Sequence, residues 1–293
     1  MNWVPLLFID DVCHRLRKPE FTQVSQLSDS WSKVGSKHGK TRREFRFRCE
    51  LNGNQEVNYN LQETTSNSKV TVADLNLEFD RITALACDSA SPILFFSFPN
   101  DHRVSLREFE RNVLPTIALL VANCCWPHLP PQRSAQNRIF FNAFKNCPGF
   151  REINVQEQGK ESRDFLARQV DLGNVQRLTL SGTGNWPETE TLKKFVNSAM
   201  FHELYYRRLL LDDYELFELF LERALANELK PGARVSAPGT NFDKSRLLVL
   251  HPEFRDDSED DVWLIPESNL RIALRQRATG LLNDSGQITM EVE

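Results

Sequence analysis

Several features that this chain lacks narrow what it can be. It has no apolar run of the roughly 20 residues that a bilayer-spanning helix needs; Leu114 to Trp126 is nearly all apolar but too short. It has no basic excess. Its 36 lysines and arginines face 40 aspartates and glutamates, a net charge of −4, which argues against a nucleic-acid binder along its whole length. No basic start leads into an apolar core and a small-residue cleavage site, so secretion is not expected and Asn283-Asp284-Ser285 should escape glycosylation. No Cys-x-x-Cys pair occurs among Cys13, Cys49, Cys87, Cys124, Cys125 and Cys147. Most of these sit beside apolar residues and are expected as reduced, buried thiols of an intracellular protein, cytoplasmic or nuclear.

Recognisable chemistry is missing too. Asp10, Asp11, Cys13 and His14 lie close in sequence, but about 100° per residue around a helix keeps most of them from converging, so no metal site is expected. Ser181-Gly182-Thr183-Gly184 has no third glycine and no following Gly-Lys-Ser, which leaves a strand-to-helix loop rather than a phosphate cradle. The acidic run from Arg255 to Asp261 lacks the spaced ligands and central glycine of a calcium loop, and is expected as a solvated connector. No nucleophile elbow or kinase signature is present. The expectation is a binding protein, without catalytic residues, cofactor or metal.

What is present is a chain of 293 residues, 40% hydrophobic and 26% charged, ample for one large or two modest cored domains. Phe8, Val12 and Leu16 recur every four residues, with Ile9 and Cys13 beside them, as in a short amphipathic helix. Pro5 suits its first turn, and Pro19 stops it. Phe21, Val24, Leu27, Trp31 and Val34 form a second series that Gly35 closes. So small a helical unit cannot bury both faces of its stripes alone.

These residues resemble an F-box. The match rests on Pro5, Phe8, Val12, Leu16, Leu27 and Trp31, the tryptophan falling twenty-six residues after the proline. The wording Val-Pro-x-x-Phe-x-x-x-Val is similar to the expanded F-box-like families of nematodes. Ser28-Asp29-Ser30-Trp31 departs from the family's usual Cys-Lys-x-Trp. The resemblance implies docking on a Skp-type adaptor through Val4, Pro5, Phe8, Val12, Leu16, Leu27 and Trp31. If instead these residues are internal core, Phe8, Val12 and Leu16 should be covered by residues beyond Gly35.

Ser36 to Arg48 is strongly basic, with Lys37, Lys40, Arg42, Arg43, Arg46 and Arg48 beside His38. Phe45 and Phe47 alternate with Arg46 and Arg48, which predicts a half-buried strand with a cationic wet face. An RNA-binding stripe would need exposed aromatics there. Strand-like alternation continues through Val57 and Tyr59, Val70 and Val72, and Leu75, Leu77 and Phe79; Ile93 to Phe98 reads as a buried strand. Asn52-Gly53 signals a tight turn. Leu106 to Ile117 and Ile139 to Cys147 keep helical spacing, with Pro115 kinking or restarting the first.

Phe150-x-x-Ile153-x-Val155, Val175-x-x-Leu178-x-Leu180 and Phe201-x-x-Leu204-x-Tyr206 repeat one pattern at steps of 25 and 26 residues, with helical patterns between them. Strand and helix alternating at this period are similar to leucine-rich repeats, although Gln158, Thr183 and Leu209 stand where that family places asparagine. Parallel strands are predicted whether the region is a solenoid or a short sheet. Leu247 to Leu250 and Val262 to Ile265 read as a hairpin, Leu270 to Leu282 as a helix, and the last ten residues as a frayed end.

The expected organisation is α/β or α+β: an F-box-like helical module over 1–36, a β-rich segment over 37–105 and a helical segment over 106–148. A repeat-like region over 149–245 and a C-terminal hairpin and tail over 246–293 follow. Together the two resemblances imply a substrate-recruiting adaptor of a Skp-cullin-F-box ubiquitin ligase, holding an unknown target protein on the repeat region. No nucleic acid or membrane partner is expected. The competing expectation is an interaction scaffold whose N-terminal helices are part of the fold.

Overall fold

The computed structural model describes residues 4–16, 18–52, 55–89, 102–127, 129, 134–181, 189–206, 214–238, 255–257, 262–264, 271–277 and 287–292. The chain is mixed α/β, with parallel strands in both sheets. It divides into two units, Met1–Arg151 with Lys160–Gln169, and Glu152–Gly159 with Val170–Glu293. The predicted strand Ile93 to Phe98, the hairpin partner Leu247 to Leu250, Gly53, and Gly182 to Gly184 lie outside the described residues.

The first unit opens with α1 (Leu6–Arg15), a 3-10 turn (Lys18–Glu20), α2 (Phe21–Val24) and α3 (Asp29–Thr41). The sheet follows: β1 (Glu44–Asn52), β2 (Glu56–Glu63), β3 (Lys69–Val70), β4 (Arg81–Ser89) and β5 (His102–Ser105), in the order β3-β2-β1-β4 with β5 on β2. As the alternation predicts, Phe45, Phe47, Cys49 and Leu51 on β1 and Val57, Tyr59 and Leu61 on β2 are buried on one face. Arg46 stays exposed on the other. With Phe45 and Phe47 inward, the aromatics an RNA-binding stripe requires are absent from that basic segment's surface. Leu75, Leu77 and Phe79 are not a strand. They fall at the end of a 3-10 turn (Val72–Asp74) and in the loop after it, because Thr71 and Asp74 close a reciprocal capping box there.

Phe109 lies on this core, with its ring 6.3 Å from Phe47 and 6.2 Å from Tyr59. It belongs to a helix running from α4 (Leu106–Glu108) through a wide π turn (Phe109–Val113) into α5 (Leu114–Leu120). The wide turn falls just before Pro115, which has no N–H to return to the preceding turn. The apolar run is therefore helical only to Leu120; Cys124 and Cys125 form the short strand β6. The Cys124 N–H donates to Gly149 O at 2.9 Å. A Cβ at Gly149 would stand 2.1 Å from Val121 O, so only glycine permits that approach of two backbones. Helix α6 (Ser134–Phe144) brings Phe140, Phe141 and Phe144 into the same interior.

None of the six cysteines is in a disulfide. Burial pushes Cys124 up to about 12 and Cys147 up to about 11, while Cys125 is exposed. The thiolate is the nucleophile, so at pH 8 roughly one in a thousand or fewer of the two buried thiols is reactive. Iodoacetamide should therefore label Cys125 in the folded chain and spare Cys124 and Cys147 until denaturant is added. Peptide mapping showing all three labelled at one rate would contradict this.

In the second unit the three-fold pattern forms β7 (Phe150–Gln156), β8 (Arg177–Ser181) and β9 (Glu203–Tyr206), and the strands are parallel as predicted. Equivalent positions meet: Ile153 pairs with Leu178 and Leu178 with Leu204, and Val155 pairs with Leu180 and Leu180 with Tyr206. The helices between these strands in sequence are α7 (Lys160–Leu172), of which Lys160–Gln169 belongs to the first unit, and α8 (Thr189–Val196); α9 (Tyr214–Leu225) follows β9. The parallel run extends through β10 (Arg234–Pro238) and then turns antiparallel, in the order β7-β8-β9-β10-β14-β13-β12-β11.

Three expectations fail in this half. Arg255–Asp257, expected in the acidic connector, is strand β11, paired with β12 (Val262–Leu264). The expected helix from Leu270 is strand β13 (Arg271–Arg277). The expected frayed end is β14 (Gln287–Val292), inserted between β10 and β13 with Met290 and Val292 buried. Pairing on both sides settles these residues as strand, a contribution that local propensity does not contain.

Candidate docking face on the N-terminal helices

Helix α1 begins at Pro5, whose carbonyl accepts from the N–H groups of Phe8 at 3.0 Å and Ile9 at 3.2 Å. Its inward face is Ile9 and Cys13, one turn apart, packed with Phe21 and Val24 of α2 and edged by Val4, Leu16, Trp31 and Val34. Gly35 does not close α3, which runs on to Thr41. It sits where α3 crosses α2, and a Cβ there would come within 2.7 Å of Val24 Cγ1. The helical module thus reaches past residue 36 and takes the first residues of the segment expected as β-rich, while the strand expected at Phe45 to Arg48 lies within β1.

The predicted docking residues divide. Pro5, Phe8 and Leu27 are exposed, with Phe8 at 54% and Leu27 at 56%. Val4, Leu16 and Trp31 pack against the helical core, and Val12 is half-buried. Phe8 meets Trp31 edge-on, ring centres 6.5 Å apart. Leu6 and Leu7, which the spacing argument passed over, are 62% and 84% exposed. Seven large hydrophobic residues are exposed among the described residues, and Leu6, Leu7, Phe8 and Leu27 are four of them. Four of the seven therefore fall within twenty-two residues of the chain. The signal that could have found Leu6 and Leu7 is the apolar run Val4 to Ile9 itself, too dense for one buried stripe.

The other end of α1 is held. Its last carbonyls lack the intrahelical partners of earlier turns; Cys13 O accepts from the Leu16 N–H at 3.2 Å, and side chains from later in the same unit supply further donors. Arg42 donates to Leu16 O and, at 2.8 Å, to Cys13 O. Arg81 Nε donates to His14 O at 3.3 Å, and Asn123 Nδ2 to Arg15 O. Arg42 is buried and its guanidinium lies 4.6 Å from the Phe21 ring centre. Burial pushes Arg42 and Arg81 down to about 10, so both remain cations at neutral pH. Cations at a helix C-terminus also meet its negative pole. Arg42 and His38 were expected on a solvated basic surface, yet both are buried. Lys37 pairs with Glu78 at 2.9 Å, and Arg43 with Asp80 at 2.6 Å.

Asp10 ties α1 to α3. Its carboxylate meets His14 Nε2 at 3.0 Å and His38 Nε2 at 2.7 Å. Asp10 and His14 therefore do converge, one helical turn apart, with a third group that lies too far along the chain to be paired with them by spacing. Ligand atoms of the three lie within 4.8 Å of one another. Arg42 Nη2 stands 3.3 Å from His38 Nδ1. A guanidinium only donates, so it holds His38 Nδ1 as the acceptor and puts the proton on Nε2, toward Asp10. A metal there would require the reverse tautomer and would add charge beside Arg42. The arrangement suits a hydrogen-bonded tie between helices better than a cation site.

No protein-family model matches this chain, and no curated protein matches it either.

Proposed function

We propose that this chain is a protein-binding adaptor of the Skp-cullin-F-box type, acting by proximity rather than by bond chemistry. The N-terminal helices dock on a Skp-type adaptor and the strand–helix region, read as leucine-rich-repeat-like, holds a target protein. The observation that carries the reading is the exposure of four large hydrophobic residues, Leu6, Leu7, Phe8 and Leu27, within the N-terminal helical module. Linking the two engagements raises the effective concentration of a target lysine near the ubiquitin-charged enzyme.

The test is a pull-down of the full chain on purified Skp-type adaptor, beside a Leu7→Asp, Phe8→Asp variant. Both positions are exposed, so the variant should keep its thermal melt. A parent that binds and a variant at least tenfold weaker, as expected for aromatic and aliphatic anchors, support the reading. A folded parent that does not bind sinks it.

One observation favours a second reading, an interaction scaffold without a ubiquitin role. Arg42, Arg81 and Asn123 fasten the end of α1 to the rest of its unit, as expected if these helices are structural. Failure of the pull-down together with strong destabilisation on removing residues 1–41 would select it.

A further inference from the structure

Cys49 and Cys87 are paired in register on neighbouring parallel strands, β1 and β4. In-register parallel neighbours share a face of the sheet and stand about 4.8 Å apart, within the Cα separations that a disulfide spans. Their sulfurs are 3.4 Å apart, and neither is in a disulfide. Cys49 is buried, whereas Cys87 is only half-buried. Closing the gap to bonding distance takes about 1.4 Å, which rotation of two cysteine side chains can supply without moving either strand.

We propose that Cys49 and Cys87 form a reversible disulfide site that responds to hydrogen peroxide. Cys87, the less buried of the two residues, attacks the peroxide O–O bond. An S–O bond forms, one oxygen leaves as water with the thiol proton, and Cys87 becomes a sulfenic acid. Cys49 then attacks the Cys87 sulfur. The S–S bond forms, the S–O bond breaks, and the hydroxide leaves as a second water with the Cys49 proton. Two thiols give up two electrons, and one peroxide is reduced to two waters. The short sulfur–sulfur distance makes the second step intramolecular, which favours it over further oxidation of Cys87. The product links β1 to β4 and closes a loop between positions 38 residues apart. That restricts the unfolded chain, so the melting temperature should rise by roughly 5 °C.

The experiment treats the full chain with hydrogen peroxide, blocks remaining thiols with iodoacetamide, and maps peptides with and without dithiothreitol. The expected result is a Cys49–Cys87 linked peptide, a mass lower by two hydrogens, and reversal by dithiothreitol. The link should vanish in Cys87→Ser and in Cys49→Ala, with circular dichroism confirming that each variant folds, and persist in Cys125→Ser. Sulfinic acid at Cys87 beside an unmodified Cys49, a link made through Cys125, or an untouched Cys87 would each overturn the proposal.

Discussion

Arg42→Ala should lower the unfolding free energy by about 3 to 5 kcal/mol. The side chain is almost wholly buried, so its replacement leaves a space that water does not readily fill. Leu16 O and His38 Nδ1 lose their donor at once, and Cys13 O keeps only the Leu16 N–H at 3.2 Å. The stacking over Phe21 is lost with them. An unpaired buried acceptor costs about 1 to 3 kcal/mol, and shared relaxation keeps the sum below the simple total. Arg42→Lys retains the charge but not the planar fork that spans two carbonyls, and should recover only part of the loss. Urea midpoints followed by circular dichroism measure both. A change below about 1 kcal/mol in Arg42→Ala would show that the end of α1 is not held as described, since exposed arginines give changes of that size.

Arg42 also marks a limit on what the residues disclose. Among Arg42, Arg43, Arg46 and Arg48 the code letter is the same, yet one is buried against a helix end and another lines a wet strand face. The two-residue period made Phe45 and Phe47 legible because burial on one sheet face is a local property of the strand. The burial of Arg42 depends on where α1 ends in space, which no local pattern carries. His38 is hidden for the same reason: its partner Asp10 lies twenty-eight residues earlier. The parallel strands β7, β8 and β9 were legible because their positions repeat. Strand β13 was not, because alanine, leucine, glutamine and arginine favour a helix in isolation, and only pairing with β12 and β14 reverses that. Strand β14 did carry a signal: Ile288, Met290 and Val292 alternate with Thr289 and Glu291, but a position near the end of the chain suggested fraying.

The same contrast bears on the docking face. Helix spacing selected Phe8, Val12 and Leu16 as one stripe, yet a helix as apolar as α1 has two candidate faces. Ile9 and Cys13 take the interior because α2 and α3 meet them there. Phe8 is then turned outward with Leu7, and Leu16 stays half-buried at the edge of the core. A Leu16→Asp change would confound binding with folding, whereas Leu7→Asp and Phe8→Asp separate them.

Trp126→Ala should cost about 3 to 5 kcal/mol, the second large loss expected in this chain. The indole is 4% exposed and sits among four phenylalanines. Phe165 lies 4.2 Å away between ring centres, Phe150 5.2 Å, Phe141 5.6 Å and Phe144 5.8 Å. Two of these rings come from α6, one from α7 and one from the start of β7, so the indole is where separate pieces of the first unit meet. Removing it opens a cavity bounded by rigid rings, which collapse poorly, and that places the loss toward the upper part of the range. The indole N–H has no hydrogen-bond partner among the described residues although it is buried. Trp126→Phe removes that unpaired donor together with one ring, so the relief of one penalty offsets part of the lost packing, and the net change should stay near 1 kcal/mol. Far-UV circular dichroism in urea follows both variants without relying on the missing fluorophore. Equal losses for phenylalanine and alanine would mean that the N–H is held by a bond and that packing among the rings is the smaller part of what this tryptophan contributes.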